Sequence, residues 1–159
     1  MNLLFGKNDS ADKGVSCTDA EQEGKEVEKE ICDPYMKRIV NEINVVSEDI
    51  FDNIRNLDKY PQEVSKKVLC LLVRNACLGQ NCAPIEIGRK KIGEISNRQW
   101  LIKHFMEAAD ENIDYSDDWE YRRLVELVDL HVPELIENVL AKGADSGNEE
   151  IREVVEDYR

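Results

Sequence analysis

The residues with the greatest capacity for chemistry are two histidines, five cysteines and a dense group of carboxylates in the last third of the chain. His104 and His131 stand apart, and the cysteines have no C-x-x-C spacing, so no local set resembles a zinc site. The cysteines are Cys17, Cys32, Cys70, Cys77 and Cys82. Cys70 and Cys77 lie two helical turns apart among Leu and Val, a position typical of buried thiols. We expect no bound metal.

Catalysis by a cysteine and a histidine brought together by the fold is an alternative that the residues leave open, but no local motif indicates it. The glycine-rich phosphate motifs of dinucleotide and nucleotide sites do not occur. The run Arg89, Lys90 and Lys91 favours a solvated face over a phosphate contact. We therefore expect a protein that is not an enzyme and that has no cofactor.

Seven carboxylates fall within residues 107–120, a stretch that we call the acidic turn. They are Glu107, Asp110, Glu111, Asp114, Asp117, Asp118 and Glu120, with the aromatic residues Tyr115 and Trp119 between them. So many carboxylates cannot be buried, because each unpaired one would cost several kcal/mol in the interior. We predict that the turn faces solvent and binds a basic protein, with an aromatic anchor. The predicted binding residues are Asp110, Asp114, Tyr115, Asp117, Asp118 and Trp119.

Other interpretations of the acidic turn stay open. Its carboxylates could simply solubilise the surface and complement the positive ends of helices. Trp119 could equally belong to the core. A calcium loop is a poorer match, because residues 110–118 lack the D-x-[DN]-x-[DN]-G pattern and a terminal glutamate.

The length of 159 residues is enough for about one domain with its own apolar core. The chain carries 34 Asp and Glu against 21 Lys and Arg, a formal net charge of -13, which disfavours nucleic-acid and membrane binding and favours basic partners. Residues 107–159 alone hold 17 acidic and 5 basic side chains, a net charge of -12. No apolar run approaches the roughly 20 residues of a membrane span, and the first residues lack the order of a signal peptide. We expect a cytoplasmic protein that is monomeric when free.

Two regions differ in composition. Residues 1–30 contain scattered glycine and charged residues and few large apolar side chains, which predicts a disordered acidic arm. Residues 31–159 are predicted to form a single all-helical domain, because apolar residues recur three and four positions apart and no convincing strand pattern occurs.

Proline and capping residues predict where the helices begin. The start signals are Pro34, Pro61, Asn97, Asp117, Pro133 and Asn148. The helix after Pro61, which ends near Gly79, is broadly apolar and is predicted to be central. Two segments are less regular. Ser47 and Asp49 are predicted to cap a helical continuation that ends around residues 56–60, and residues 82–96 to form an extended stretch followed by one or two helical turns from Arg89.

An internal repeat relates the last four predicted helices. Residues 118–126 align with residues 148–156, sharing a capping residue, a glutamate, an arginine (Arg122 or Arg152) and an apolar pair. Two helix pairs of about 30 residues result, and stacked pairs that share a core are the principle of an α-solenoid. The motif resembles the second helix of HEAT-like repeats, which implies that each arginine pairs with an acidic residue of an adjacent unit. We predict an all-α fold of antiparallel helix pairs stacked as a short HEAT-like α-solenoid or an irregular helical bundle.

Several short motifs between residues 61 and 159 together resemble small all-helical bacterial immunity proteins, the cognate inhibitors of polymorphic or contact-dependent growth inhibition toxins. They are NACLGQN at 75–81, IGR at 87–89, QWLI at 99–102, DDWEYRRL at 117–124 and NEEIREVVEDY at 148–158. The resemblance implies that the protein neutralises a toxin domain, often a basic nuclease, by occluding its active site or substrate groove. A HEAT-like interaction scaffold unrelated to toxins is the alternative.

Overall fold

The computed structural model describes residues 34–78 and 81–159. The predicted acidic arm of residues 1–30, and the predicted end of the second helix at Gly79, lie outside the described residues. Within these ranges the chain contains no strand, which confirms the prediction of an all-α fold.

The described residues form α-helices joined by turns and two short 3₁₀ helices, and none of these helices is both long and apolar enough to cross a membrane. The α-helices are α1 (Pro34–Asn44), α2 (Gln62–Leu78), α3 (Cys82–Glu94), α4 (Arg98–Asn112), α5 (Asp118–His131), α6 (Ile136–Gly143) and α7 (Glu149–Asp157). The 3₁₀ helices are Ile54–Lys59 and Pro133–Leu135.

Helix α2 lies at the centre of the fold, as its broad apolar coverage predicts. It packs against α3, α4 and α5, and its residues Val68, Leu69 and Leu72 are fully buried. Helices α4 and α5 each pack chiefly against α2 rather than against each other, whereas α5 also contacts α6 and α7. Of the two predicted architectures, the packing therefore favours an irregular bundle around α2.

The predicted helical continuation after α1 is wrong for residues 47–53, whereas Ile54–Lys59 within it is a 3₁₀ helix. Ile50, Phe51 and Ile54 are buried as their spacing predicts, but residues 47–53 form turns rather than a helix. Asp49 has a φ of 59°, in the left-handed region that interrupts a right-handed helix. The N–H of Phe51 donates to the side-chain oxygen of Asn44 at 3.1 Å instead of to a helical carbonyl.

The prediction for residues 82–96 is also wrong, because Cys82–Glu94 is a continuous helix. The alternating apolar residues that suggested an extended stretch lie in this helix, where Pro84, Ile87 and Ile92 are buried on one side. Pro84 lies in the first turn, where backbone N–H groups have no intrahelical acceptor. The lack of an N–H in proline therefore costs no helical hydrogen bond. Gly88 faces the backbone of α2 and allows the two helices to approach closely, so it does not end the helix.

Three predicted capping residues occupy their expected positions. The side chain of Asn97 accepts the N–H of Trp100 at the start of α4. Asp117 caps α5, and Asn148 caps α7 by accepting the N–H of Glu150. These caps fix where α4, α5 and α7 begin, and the cap at Asp117 also fixes the end of the short loop that joins the two helical parts of the acidic turn.

Candidate functional site

The acidic turn runs from the last two turns of α4 through a short loop into the first turn of α5. Ile113, only 7% exposed, holds the loop against the core directly after α4 ends. Asp117 then accepts the backbone N–H groups of Trp119 and Glu120, both at 3.0 Å. Its carboxylate thus satisfies two N–H groups that the helix start leaves unpaired, which anchors the turn to α5.

Asp114 and Glu120 hold the loop between the two helices. The Oδ1 atom of Asp114 accepts hydrogen bonds from the backbone N–H and hydroxyl of Ser116, at 2.9 and 2.6 Å. These bonds lower the pKa of Asp114, the side-chain bond most strongly. The backbone N–H of Asp114 donates to Glu120 at 2.8 Å. The exposed carboxylate of Asp114 is therefore ionised at neutral pH and held in a fixed position.

Asp110 and Tyr115 belong to a contact that ties the acidic turn to α6. The hydroxyl of Tyr115 donates to Asp110 at 2.7 Å, and the Nζ atom of Lys142 lies 3.0 Å from the same oxygen. Burial raises the pKa of Asp110, but these two bonds outweigh it and lower the pKa below its usual value. Lys142 also lies 5.1 Å from the centre of the Tyr115 ring. The charge of Asp110 is thus offset within the protein.

Tyr115 is also unsuited to the role of a free aromatic anchor. It is half-buried, and its ring meets the ring of Tyr121 edge-on with the centres 6.5 Å apart. Burial and the bond to Asp110 raise the pKa of its hydroxyl well above the usual value. We therefore assign Asp110 and Tyr115 a structural role and keep Asp114, Asp117, Asp118 and Trp119 as the candidate site.

Trp119 is an exposed aromatic side chain at the start of α5. Its side chain is 65% exposed, so the sequence alternative that places it in the core is not met. The guanidinium carbon of Arg123, one turn later, lies 5.9 Å from the centre of its ring. An exposed large aromatic side chain is of the type that serves as an anchor in protein–protein interfaces.

The described histidines and cysteines do not assemble into a nucleophile and its base. His104 is buried, its ring centre 5.0 Å from that of Trp100 and its Nδ1 atom 3.7 Å from Glu107. Burial raises the pKa of Cys70 to about 11 and that of Cys77 to about 12, so both thiols are protonated at neutral pH. Within the described residues, no three His, Cys, Asp or Glu side chains are placed to share a metal ion.

The two repeated arginines make different contacts. The Nη1 atom of Arg122 in α5 lies 4.0 Å from Asp157 in α7, a pairing between units of the kind that the HEAT-like motif implies. Arg152 instead donates to the backbone carbonyl of Ser146, in the loop before its own helix, at 2.7 Å. The proposed equivalence of the two arginines therefore does not extend to their partners.

Comparisons of this chain with protein-family models, with curated proteins and with solved structures give no match.

One exposed residue that the sequence interpretation passed over is Leu130. It is the last large apolar residue of α5, and it is 64% exposed. The signal lay in its spacing, because Leu130 follows Trp119 by eleven residues, which is close to three full helical turns. Both side chains therefore project from one side of α5.

A pH-dependent stability is expected from His131 at the end of α5. Burial, together with the nearby cations Arg89 and Arg98, lowers the pKa of His131 below 6.5 in the folded protein. Between the folded and unfolded pKa values, His131 is protonated in the unfolded chain and neutral in the folded protein. The contribution of this group is complete above about pH 6.5 and is lost as the pH falls through the folded pKa.

Urea unfolding of the wild type and of His131→Gln between about pH 8 and pH 5 measures this effect. The free energy of unfolding should fall with decreasing pH more steeply for the wild type. All other titratable groups are the same in the two proteins, so the difference between the profiles reports His131. Parallel pH profiles would contradict the assignment.

Proposed function

We propose that this protein is an immunity protein that binds a cognate toxin domain, a basic nuclease, and neutralises it by covering its substrate groove. The motifs in residues 61–159 that resemble such proteins support the proposal, and so does the charge of the last third of the chain. The observation that carries it is the exposed Trp119 beside carboxylates held in place by backbone hydrogen bonds.

The proposed mechanism is competition with the phosphate backbone. A nuclease groove is basic because it must bind phosphates, so a fixed array of carboxylates interacts with the same cations. Asp114 and Asp117 are already positioned by hydrogen bonds, and little conformational entropy is lost when a partner binds them. Trp119 supplies the apolar contact that charge alone does not provide. Inhibition is therefore stoichiometric and needs no chemical step.

The test removes charge without removing the hydrogen bonds. Asparagine caps helices as well as aspartate does, so Asp114→Asn, Asp117→Asn and Asp118→Asn together should preserve the fold and remove three negative charges. The resemblance implies that the toxin is encoded beside this protein. We expect association with the basic domain of such a toxin to slow about ten-fold at low salt, with a weaker dependence on salt. Surface plasmon resonance at several salt concentrations measures both effects.

A matched control has the same change of charge elsewhere on the surface. Glu48→Gln, Asp52→Asn and Glu86→Gln replace three exposed carboxylates outside the acidic turn. Equal rates for the two triple variants would exclude the acidic turn as the binding site. Trp119→Ala should weaken affinity by about 2 kcal/mol or more, mainly through faster dissociation.

A HEAT-like interaction scaffold for a partner unrelated to toxins is the second candidate function. The contact of Arg122 with Asp157 between the two repeated units favours it. Nuclease assays separate the two functions, because an immunity protein abolishes DNA or RNA cleavage at one molecule per toxin and a scaffold does not.

A further inference from the structure

Four residues form a stripe along the outer side of α5. They are Trp119, Arg123, Glu126 and Leu130, at successive spacings of four, three and four residues. At 100° per residue these positions lie within about 60° of one another around the helix. Tyr121, Leu124 and Val128, which are fully buried, lie on the opposite side. We call these four residues the α5 stripe.

We propose that the α5 stripe mediates weak two-fold self-association, in which the α5 helices of two copies pack antiparallel. The spacing of four, three and four is that of the contact seam between two packed helices. In an antiparallel pair centred between residues 124 and 125, Trp119 lies opposite Leu130 of the other copy, and Arg123 opposite Glu126. A two-fold axis repeats each pairing, so the stripe is complementary to itself.

The exposed apolar residues at the two ends supply the driving force. Trp119 and Leu130 are 65% and 64% exposed, and they are separated by about 16 Å along the helix axis. Each would cover the other across the interface, which removes two large apolar side chains per copy from water.

The charged residues in the middle make the stripe complementary to a second copy of itself in one orientation. Arg123 and Glu126 are opposite in sign, so the antiparallel arrangement brings unlike charges together, whereas exact side-by-side parallel packing brings like charges together. Glu126 is already 2.6 Å from Arg89, and Arg123 donates to the carbonyl of Cys77 at 3.1 Å. Both side chains therefore already have partners within the protein, and the contact between copies adds to the ion pair of Arg89 and Glu126.

The association is expected to be weak and to strengthen with salt. A contact along a helix of 14 residues buries less than the roughly 1,200 Å² of a stable specific interface. Two copies with a net charge of -13 each repel one another, and salt screens that repulsion. The expected monomeric free form therefore applies at low salt. Self-association is independent of the proposed function. The two are distinguished by salt, because toxin binding weakens as salt rises whereas self-association strengthens.

Sedimentation equilibrium of the full chain tests the proposal. In about 0.01 M NaCl the mass should remain near the 18.3 kDa of one chain, and in about 0.5 M NaCl it should rise toward twice that value with concentration. Leu130→Ser should reduce the association constant about ten-fold or more. Val45→Ser, which replaces an apolar residue that is 86% exposed but lies outside the stripe, should have no effect. A mass that stays at one chain in high salt would overturn the proposal.

Charge reversal tests the pairing itself. Arg123→Glu and Glu126→Arg should each abolish self-association, because each places like charges opposite one another. An equimolar mixture of the two variants should associate at least as strongly as the wild type, because both central pairs are again attractive. Lys37→Glu mixed with Glu48→Arg, which changes the same net charges elsewhere, should show no such gain. Failure of the mixture to associate, with both variants folded by circular dichroism, would overturn the antiparallel pairing. If either variant unfolds, the comparison of Leu130→Ser with Val45→Ser decides.

Discussion

Replacement of Tyr121 by alanine is expected to destabilise the protein by about 4 kcal/mol. Its ring is fully buried in α5, and its hydroxyl donates to the carbonyl of Val139 in α6 at 3.1 Å. Truncation leaves a cavity between α5, α6 and α7 and removes the edge-on contact with Tyr115. Since a domain of this size is stable by only about 5–15 kcal/mol, a large part of the margin disappears.

Tyr121→Phe separates the ring from the hydroxyl. This variant keeps the apolar volume and loses one hydrogen bond, so its free energy of unfolding should fall by only about 1 kcal/mol. Urea unfolding followed by circular dichroism at neutral pH measures both variants. A loss below about 1 kcal/mol for Tyr121→Ala would mean that the site collapses around the smaller side chain, contrary to the close packing described above.

The second large effect is expected from Gly88→Ala, with a destabilisation of about 3 kcal/mol. A Cβ atom at this position would lie 2.8 Å from the backbone nitrogen of Ala76 and 2.9 Å from the carbonyl oxygen of Leu72. Both atoms belong to the backbone of α2 and cannot rotate away, so α3 must move. Alanine favours a helix over glycine by up to about 1 kcal/mol, and the expected loss remains after this gain.

Gly147→Ala is the matched control for Gly88→Ala. A Cβ atom at Gly147 would meet nothing within 4 Å, and its φ is not positive. The same substitution should therefore change the free energy of unfolding by less than about 0.5 kcal/mol. Similar losses for the two variants would show that the approach of α3 to α2 is not limited by Gly88.

The capping role of Asp117 affects how the candidate site must be tested. Reversal of Asp117 to lysine would remove the cap of α5 together with the charge, at a stability cost of about 1 kcal/mol. A loss of partner binding would then have two explanations. Asparagine separates them, because its side-chain oxygen still accepts the two N–H groups while its charge is zero.

Local signals were sufficient where one residue determines the backbone next to it. Asn97, Asp117 and Asn148 cap their helices because a short polar side chain meets unpaired N–H groups a few residues later, an interaction contained in the sequence. The broad apolar coverage of α2 likewise predicted its central position, since such a helix has no polar face to present to water.

Contacts between distant residues decided the rest. The stretch up to Gly88 is predicted as extended, and only the fold shows that Gly88 lies in a helix whose close approach to α2 leaves no space for a side chain. The sequence places Asp110 and Tyr115 among the predicted binding residues. Only the fold shows that Lys142, 32 residues after Asp110, contacts both of them. The sequence left open whether Trp119 is an anchor or a core residue, and only the packing of α5 shows that Trp119 and Leu130 are both exposed.

The sequence by itself thus determined the helical class, the caps and the concentration of negative charge, because each depends on residues near one another in the chain. The tertiary structure alone decided which carboxylates are offset, which aromatic residue is exposed and how α5 presents its outer side. Those outcomes depend on which helices pack around α2, and that packing is determined by side chains far apart in the sequence.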